Sequence, residues 1–164
     1  VKKFSRRRKR YNLVMPADLN INLLLETIDR AFDQSSWHGP NLASSIRGIP
    51  AIDAAKSVHG RKSIWQQVLH AAYWKQRVLN KLVGTQKFPR PGSNWPGLPE
   101  TISEKTWRAD RDLLHAIHAR LRKAVASLDT KRLDAKLRKM ILGGAAHDLY
   151  HAGQINLLKR IMRG

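Results

Sequence analysis

Cysteine is absent from all 164 residues. That excludes a disulfide-held scaffold, a thiolate zinc site and a cysteine nucleophile, so any metal must be held by nitrogen and oxygen. Acid is scarce as well: 12 Asp and Glu stand against 31 Lys and Arg, a net charge of +19. No apolar run approaches the roughly 20 residues that a membrane-spanning helix needs. Nor does an apolar h-region follow the basic run at residues 1–10, so that run does not read as a secretory signal. These absences are compatible with a cytoplasmic location, which is the expectation. Alternating apolar and polar residues, the mark of half-buried strands, are missing too, and so are internal repeats. Hydrophobic residues nevertheless make up 42%, enough for one packed domain and too many for disorder throughout.

The positive charge is unevenly spread. Residues 1–10 hold seven bases and no acid, and a second basic stretch, 120–139, holds eight bases against Asp129 and Asp134. Residues 1–14 therefore read as a disordered basic leader and residues 15–164 as a single domain. Within the leader, Arg6, Arg7, Arg8, Lys9 and Arg10 are candidates for polyanion contact. The bland alternative is a solvated, non-native extension.

Four long segments carry helical periodicity. The first, residues 18–34, sets Ile21, Leu24, Leu25, Ile28 and Phe32 on one stripe. A connector with a short helix at 52–58 leads to the second, 62–83, whose stripe is Trp65, Leu69, Ala72, Leu79 and Val83. Residues 85–101, rich in proline and glycine, show no helical pattern. The third segment begins after Ser103, a natural N-cap, and reaches Leu128 through Trp107, Leu114, Ile117, Leu121 and Val125. The fourth spans 133–162 through Leu142, Ala145, Leu149, Ala152 and Ile155. Four such helices in one domain predict an all-α four-helix bundle. The two long links can run its length, so simple up-down order is not required.

Among seven histidines, His147 and His151 stand one helical turn apart on one face, so both rings can reach one ion. Gly143 and Gly144, one turn earlier, leave space beside them at a helix cost of about 1 kcal/mol each. A third ligand must come from another helix, and His70, flanked by Tyr73 and Trp74, is the best placed. Three neutral imidazoles with a position left open suit catalysis rather than a closed structural site. The spacing alone also fits a solvated or core-edge pair. His115 and His118, set among arginines, read as surface and packing residues, and His38 and His59 as connector residues at a pocket mouth or in solvent. The stretch His147-Asp148-Leu149-Tyr150-His151 has the H-E-x-x-H shape with aspartate for glutamate. A shorter acid and the lack of a third downstream histidine exclude a zincin.

Three stretches carry a family likeness: Ser36-Trp37-His38-Gly39-Pro40, Ser63-Ile64-Trp65-Gln66-Gln67-Val68-Leu69-His70, and His147-Asp148-Leu149-Tyr150-His151-Ala152-Gly153-Gln154-Ile155. The chain resembles the DinB/YfiT-like superfamily of bacterial four-helix-bundle metalloenzymes over residues 16–163, and the last motif is the most specific. The resemblance implies a bundle with long crossover connections and a divalent metal held by His70, His147 and His151. It also implies a homodimer and thiol S-transferase chemistry with low-molecular-weight thiols, or hydrolase chemistry. The chain departs from the family pattern at Lys62, where histidine is frequent, and in its basic leader and high charge.

The leading expectation is a metal-dependent transferase or hydrolase acting on a small substrate, with zinc or nickel the expected ion and manganese or iron alternatives. Trp37, His38, Trp65, Tyr73 and Tyr150 are the candidates for the substrate pocket, each of the aromatics also open to a core-packing reading. Lysines and arginines at the mouth suit an anionic co-substrate. No residue stands out as a general base, which favours thiol transfer over hydrolysis. The alternative is a non-enzymatic basic helical protein that binds nucleic acid or another polyanion, although no recognition motif supports it. A degenerate scaffold without metal is a third reading.

Overall fold

Apolar spacing of three and four residues, punctuated by Ser63, Gly84 and Ser103, yields helices in the computed structural model, which describes residues 16–35 and 37–164 (side chains from 20 onward). The leader and its candidates Arg6, Arg7, Arg8, Lys9 and Arg10 lie outside the described residues. Those described form α1 (Pro16–Phe32), α2 (Leu42–Ser45), α3 (Ala51–Ala55), α4 (Ile64–Val83), α5 (Glu104–Ala126) and α6 (Ala135–Arg163), with a 3-10 turn at Thr130–Arg132 before α6. No strand occurs among them. The described residues build an all-helical fold, and no described helix is long and apolar enough to cross a membrane.

Local chemistry sets the helix ends. Ser63 and Gln66 close a capping box at the start of α4, Ser103 and Thr106 another at α5, and the Asp134 carboxylate accepts from the Leu137 amide to start α6. Gly84, at φ 94°, ends α4 in a conformation that favours glycine.

The long helices pack α4 against α5 and α6, and α1 against both α5 and α6. The expected stripes of α1 and α5 are buried or half-buried throughout. Two expectations need correction. Val83 is 53% exposed, because it occupies the last position of α4. Leu142 is 39% exposed and its neighbour Ile141 is buried instead, whereas Ala145, Ala152 and Ile155 of the expected α6 stripe are buried and Leu149 is half-buried. The short α2 was not foreseen. It is capped by Asn41, and Ser45 accepts from Asn156 on α6 (2.8 Å). Trp65 and Trp107 sit fully buried at 5.0 Å centroid distance, and each places its indole N–H on an acceptor, Asp110 Oδ2 (2.8 Å) and the Ile49 carbonyl (2.8 Å).

One polar network crosses this core and takes a residue from each long helix. Lys75 of α4 donates to Asp148 of α6 and to His118 Nδ1 of α5 (3.2 Å). His118 Nε2 lies 3.8 Å from Asp29 of α1, which accepts from Arg122 Nε at 2.9 and 3.0 Å. The Lys75 ammonium also stands 4.7 Å over the Phe32 ring, and His118 stacks on the same ring at 3.8 Å. Every member except Arg122 is buried. Neutrality of His118, whose pKa burial and then Lys75 lower to about 3, lets its Nδ1 accept from the ammonium.

Candidate metal centre

His70 comes from the middle of α4, and His147 and His151 from successive turns of α6. One ring nitrogen from each lies within 4.8 Å of the others. His147 Nε2 is 3.1 Å from His70 Nε2 and 3.0 Å from His151 Nε2.

The opposite ring edges decide the tautomers. His70 Nδ1 faces the Asn94 carbonyl at 2.5 Å, and His151 Nδ1 faces Gln67 Oε1. Both partners accept, so both Nδ1 atoms carry the proton and both Nε2 atoms present a lone pair inward. Converging lone pairs repel unless a cation or a proton joins them. Burial lowers the pKa of all three rings: His147 to about 4, with His70 and Lys75 contributing, and His151 to about 3, with His147 and His70 contributing. For His70 the lowering is partly offset by the bond to Asn94. The rings are therefore neutral near pH 7. Two zinc–nitrogen bonds at a tetrahedral angle separate their nitrogens by about 3.3 Å, close to the spacings here. The donor set fits a divalent ion.

Orientation comes from the proline- and glycine-rich loop between α4 and α5. Phe88 plugs it into the core, and Arg90 fixes it to the buried Asp110 through Nε at 2.9 Å. Asn94 then adopts φ 58°, a left-handed conformation that asparagine tolerates. Its carbonyl meets His70 and its side-chain oxygen accepts from Trp74 Nε1 (2.9 Å). Trp95 stacks on His70 at 3.8 Å. Sequence reading missed Asn94, Trp95 and Gln67 as site residues. The only available signal was an asparagine and a tryptophan within a loop otherwise made for turns.

The pocket candidates separate in space. Tyr150 is exposed and sets its ring 5.1 Å from His151, and Tyr73 packs against Phe88 (5.6 Å) and Trp74 (5.8 Å). His38 lines a groove of about 620 Å³ along α6 with Gly153, Asn156 and Lys159. Trp37 is 95% exposed, and Trp65 is fully buried in the core. His59 is exposed, His115 is exposed with its edge on Phe32, and His118 is the packing residue described above. Asp148, second in the H-D-x-x-H stretch, turns to Lys75 in the core and away from a catalytic base's place.

The sequence model of the DinB superfamily matches residues 25–157. The chain belongs to that superfamily. No curated protein and no solved structure matches it. The matched DinB span runs from within α1 into α6 and contains all three histidines together with Gln67, Asn94 and Trp95.

Proposed function

We propose that this DinB-superfamily chain is a metal-dependent enzyme on a four-helix-bundle scaffold, with His70, His147 and His151 holding one divalent ion. The observation that carries the reading is the inward convergence of imidazole nitrogens whose outer edges are fixed by Asn94 and Gln67. An outer partner of that kind locks the tautomer and raises the basicity of the ligand. When bound, the ion supplies the acidity that makes a thiol or a water nucleophilic at neutral pH.

The chain's own residues do the rest. Trp95 covers one face of His70 and keeps water from it, while Trp74, held by Asn94, walls the side toward His147. The acid adjoining the ligands, Asp148, is committed to Lys75. Hydrolysis at such an ion usually also calls on a base beside the water, whereas a thiol, intrinsically far more acidic than water, attacks as its anion without one. Transfer of a low-molecular-weight thiol to a small electrophile is therefore favoured over hydrolysis.

Metal analysis of protein purified without a nickel column tests this. About one equivalent of a divalent transition metal is expected in the native chain, and almost none in His151→Ala. Full metal in that variant, or none in the native protein after incubation with zinc, nickel, manganese and iron salts, overturns the reading.

A further inference from the structure

Beside His147 opens a cavity of about 390 Å³ between α4 and α6, the two helices that carry the histidines. Trp74, Val78 and Met140 wall it, with the aliphatic stem of Lys75, whose ammonium is occupied in the core. Lys136 and Lys139, both exposed, line it with them. Gly143 and Gly144 supply the α6 side. On that helix Lys136, Lys139, Gly143 and His147 recur every three or four residues and share one face.

Two local choices on this face run against helix stability. Glycine in a helix interior weakens it, and helix packing does not require glycine here. A Cβ on Gly143 would meet nothing within 4 Å, and one on Gly144 would meet only Val78 Cγ2, at an ordinary 3.7 Å. Lysines near a helix N-terminus are likewise disfavoured by the dipole, yet α6 has no acid in its first turn and carries Lys136 there, with Lys139 one turn on. Both choices make sense together if the face receives a ligand. The glycines leave room for an apolar body, and the lysines supply a counter-charge at the far end.

We infer that this cavity binds the acceptor substrate of the metal centre, and that the acceptor is a small amphipathic acid. Its apolar body lies against Trp74, Val78 and Met140. Its carboxylate, sulfonate or phosphate meets Lys136 and Lys139, and its reacting end faces His147. Between the levels of Lys139 and His147 the helix rises about 12 Å. Lysine side chains span roughly half of that, which leaves length for a bicyclic or short-chain body. The lining suits an apolar acceptor better than a polar thiol. This inference rests on the metal-enzyme reading and names the substrate class of the same site.

The test titrates 2-naphthoate and its uncharged analogue 2-naphthamide into the full chain by calorimetry, with metal content measured on the same samples. The naphthoate is expected to bind at least 10-fold more tightly than the amide. K136Q/K139Q should abolish that preference and leave amide affinity unchanged. G143L, which fills the cavity with a better helix former, should bind neither probe while keeping its melting temperature and its metal. Equal affinity for the two probes in the native chain, or undiminished naphthoate binding by G143L, overturns the inference. Native protein that takes up no metal from zinc, nickel, manganese or iron salts yet still prefers naphthoate would sink the metal reading and spare the cavity. Metal-loaded protein indifferent to the charge would do the reverse.

Discussion

Four histidines with lowered pKa values, His70, His118, His147 and His151, define the acid response of this protein at the level of single groups. An unfolded chain takes up protons at the ordinary histidine pKa of 6.5, whereas the folded His118 and His151 resist until about 3 and His147 until about 4. The unfolded state thus binds more protons as pH falls below 6.5, and their contribution to stability is lost on the way down to about 3. Asp148 works in the other direction, because burial raises its pKa from 3.8 to about 6 and the folded state protonates first. Four groups outweigh one. Metal-free protein should therefore melt at progressively lower temperature from pH 7 to about pH 4.5, and His118→Asn, which leaves the three converging histidines intact, should flatten that slope. A melting temperature indifferent to pH over this window would contradict the burial-driven shifts.

At the scale of helices, the core network ties α1, α4, α5 and α6 at one level and fixes the rotation of α6 that aims His147. Lys75→Met leaves the Asp148 carboxylate buried without its cation, a loss of about 3–5 kcal/mol for a buried pair. K75M/D148N should regain much of it, with a coupling of about 2 kcal/mol by denaturant unfolding. Strict additivity of the two substitutions would mean that Lys75 and Asp148 do not depend on each other.

Helices of this length were legible from their period. Ile21 to Phe32 and Trp107 to Val125 repeat through several turns, and Ser103 and Gly84 mark ends. The four-residue α2 is too short to show a period, and Leu142 misled because two adjacent apolar residues leave the helix phase undecided. The histidine pair was legible as i,i+4 spacing, and His70 as a histidine among aromatics. Lys75 was not, because a lone base on an apolar stripe looks like any solvated lysine. Asn94 and Trp95 were hidden for another reason. A loop has no repeat, and its aim depends on Phe88 and Arg90 taking hold of distant partners.

Taken whole, the molecule carries +19, and long-range attraction to polyanions follows from that sum whatever the site does. Affinity for duplex DNA should fall steeply between 50 and 200 mM salt, by a power set by the number of phosphates neutralised. Deleting residues 1–10, which hold seven bases, should remove most of the binding. A complex that survives high salt would mean that base edges are read, and would favour the nucleic-acid alternative.

The hydrogen bond that orients His70 ends on the main-chain oxygen of Asn94 rather than on a side chain. Every amino acid carries that oxygen, so substitution at position 94 cannot delete the acceptor and can only misdirect it. For the hold on His70, tolerance there will follow the ease of reaching a left-handed backbone, with glycine mild and valine severe, while the bond from Trp74 Nε1 needs the side-chain oxygen and is lost in both. Changes in loop length around it reach the same oxygen more directly, since they relocate the peptide itself.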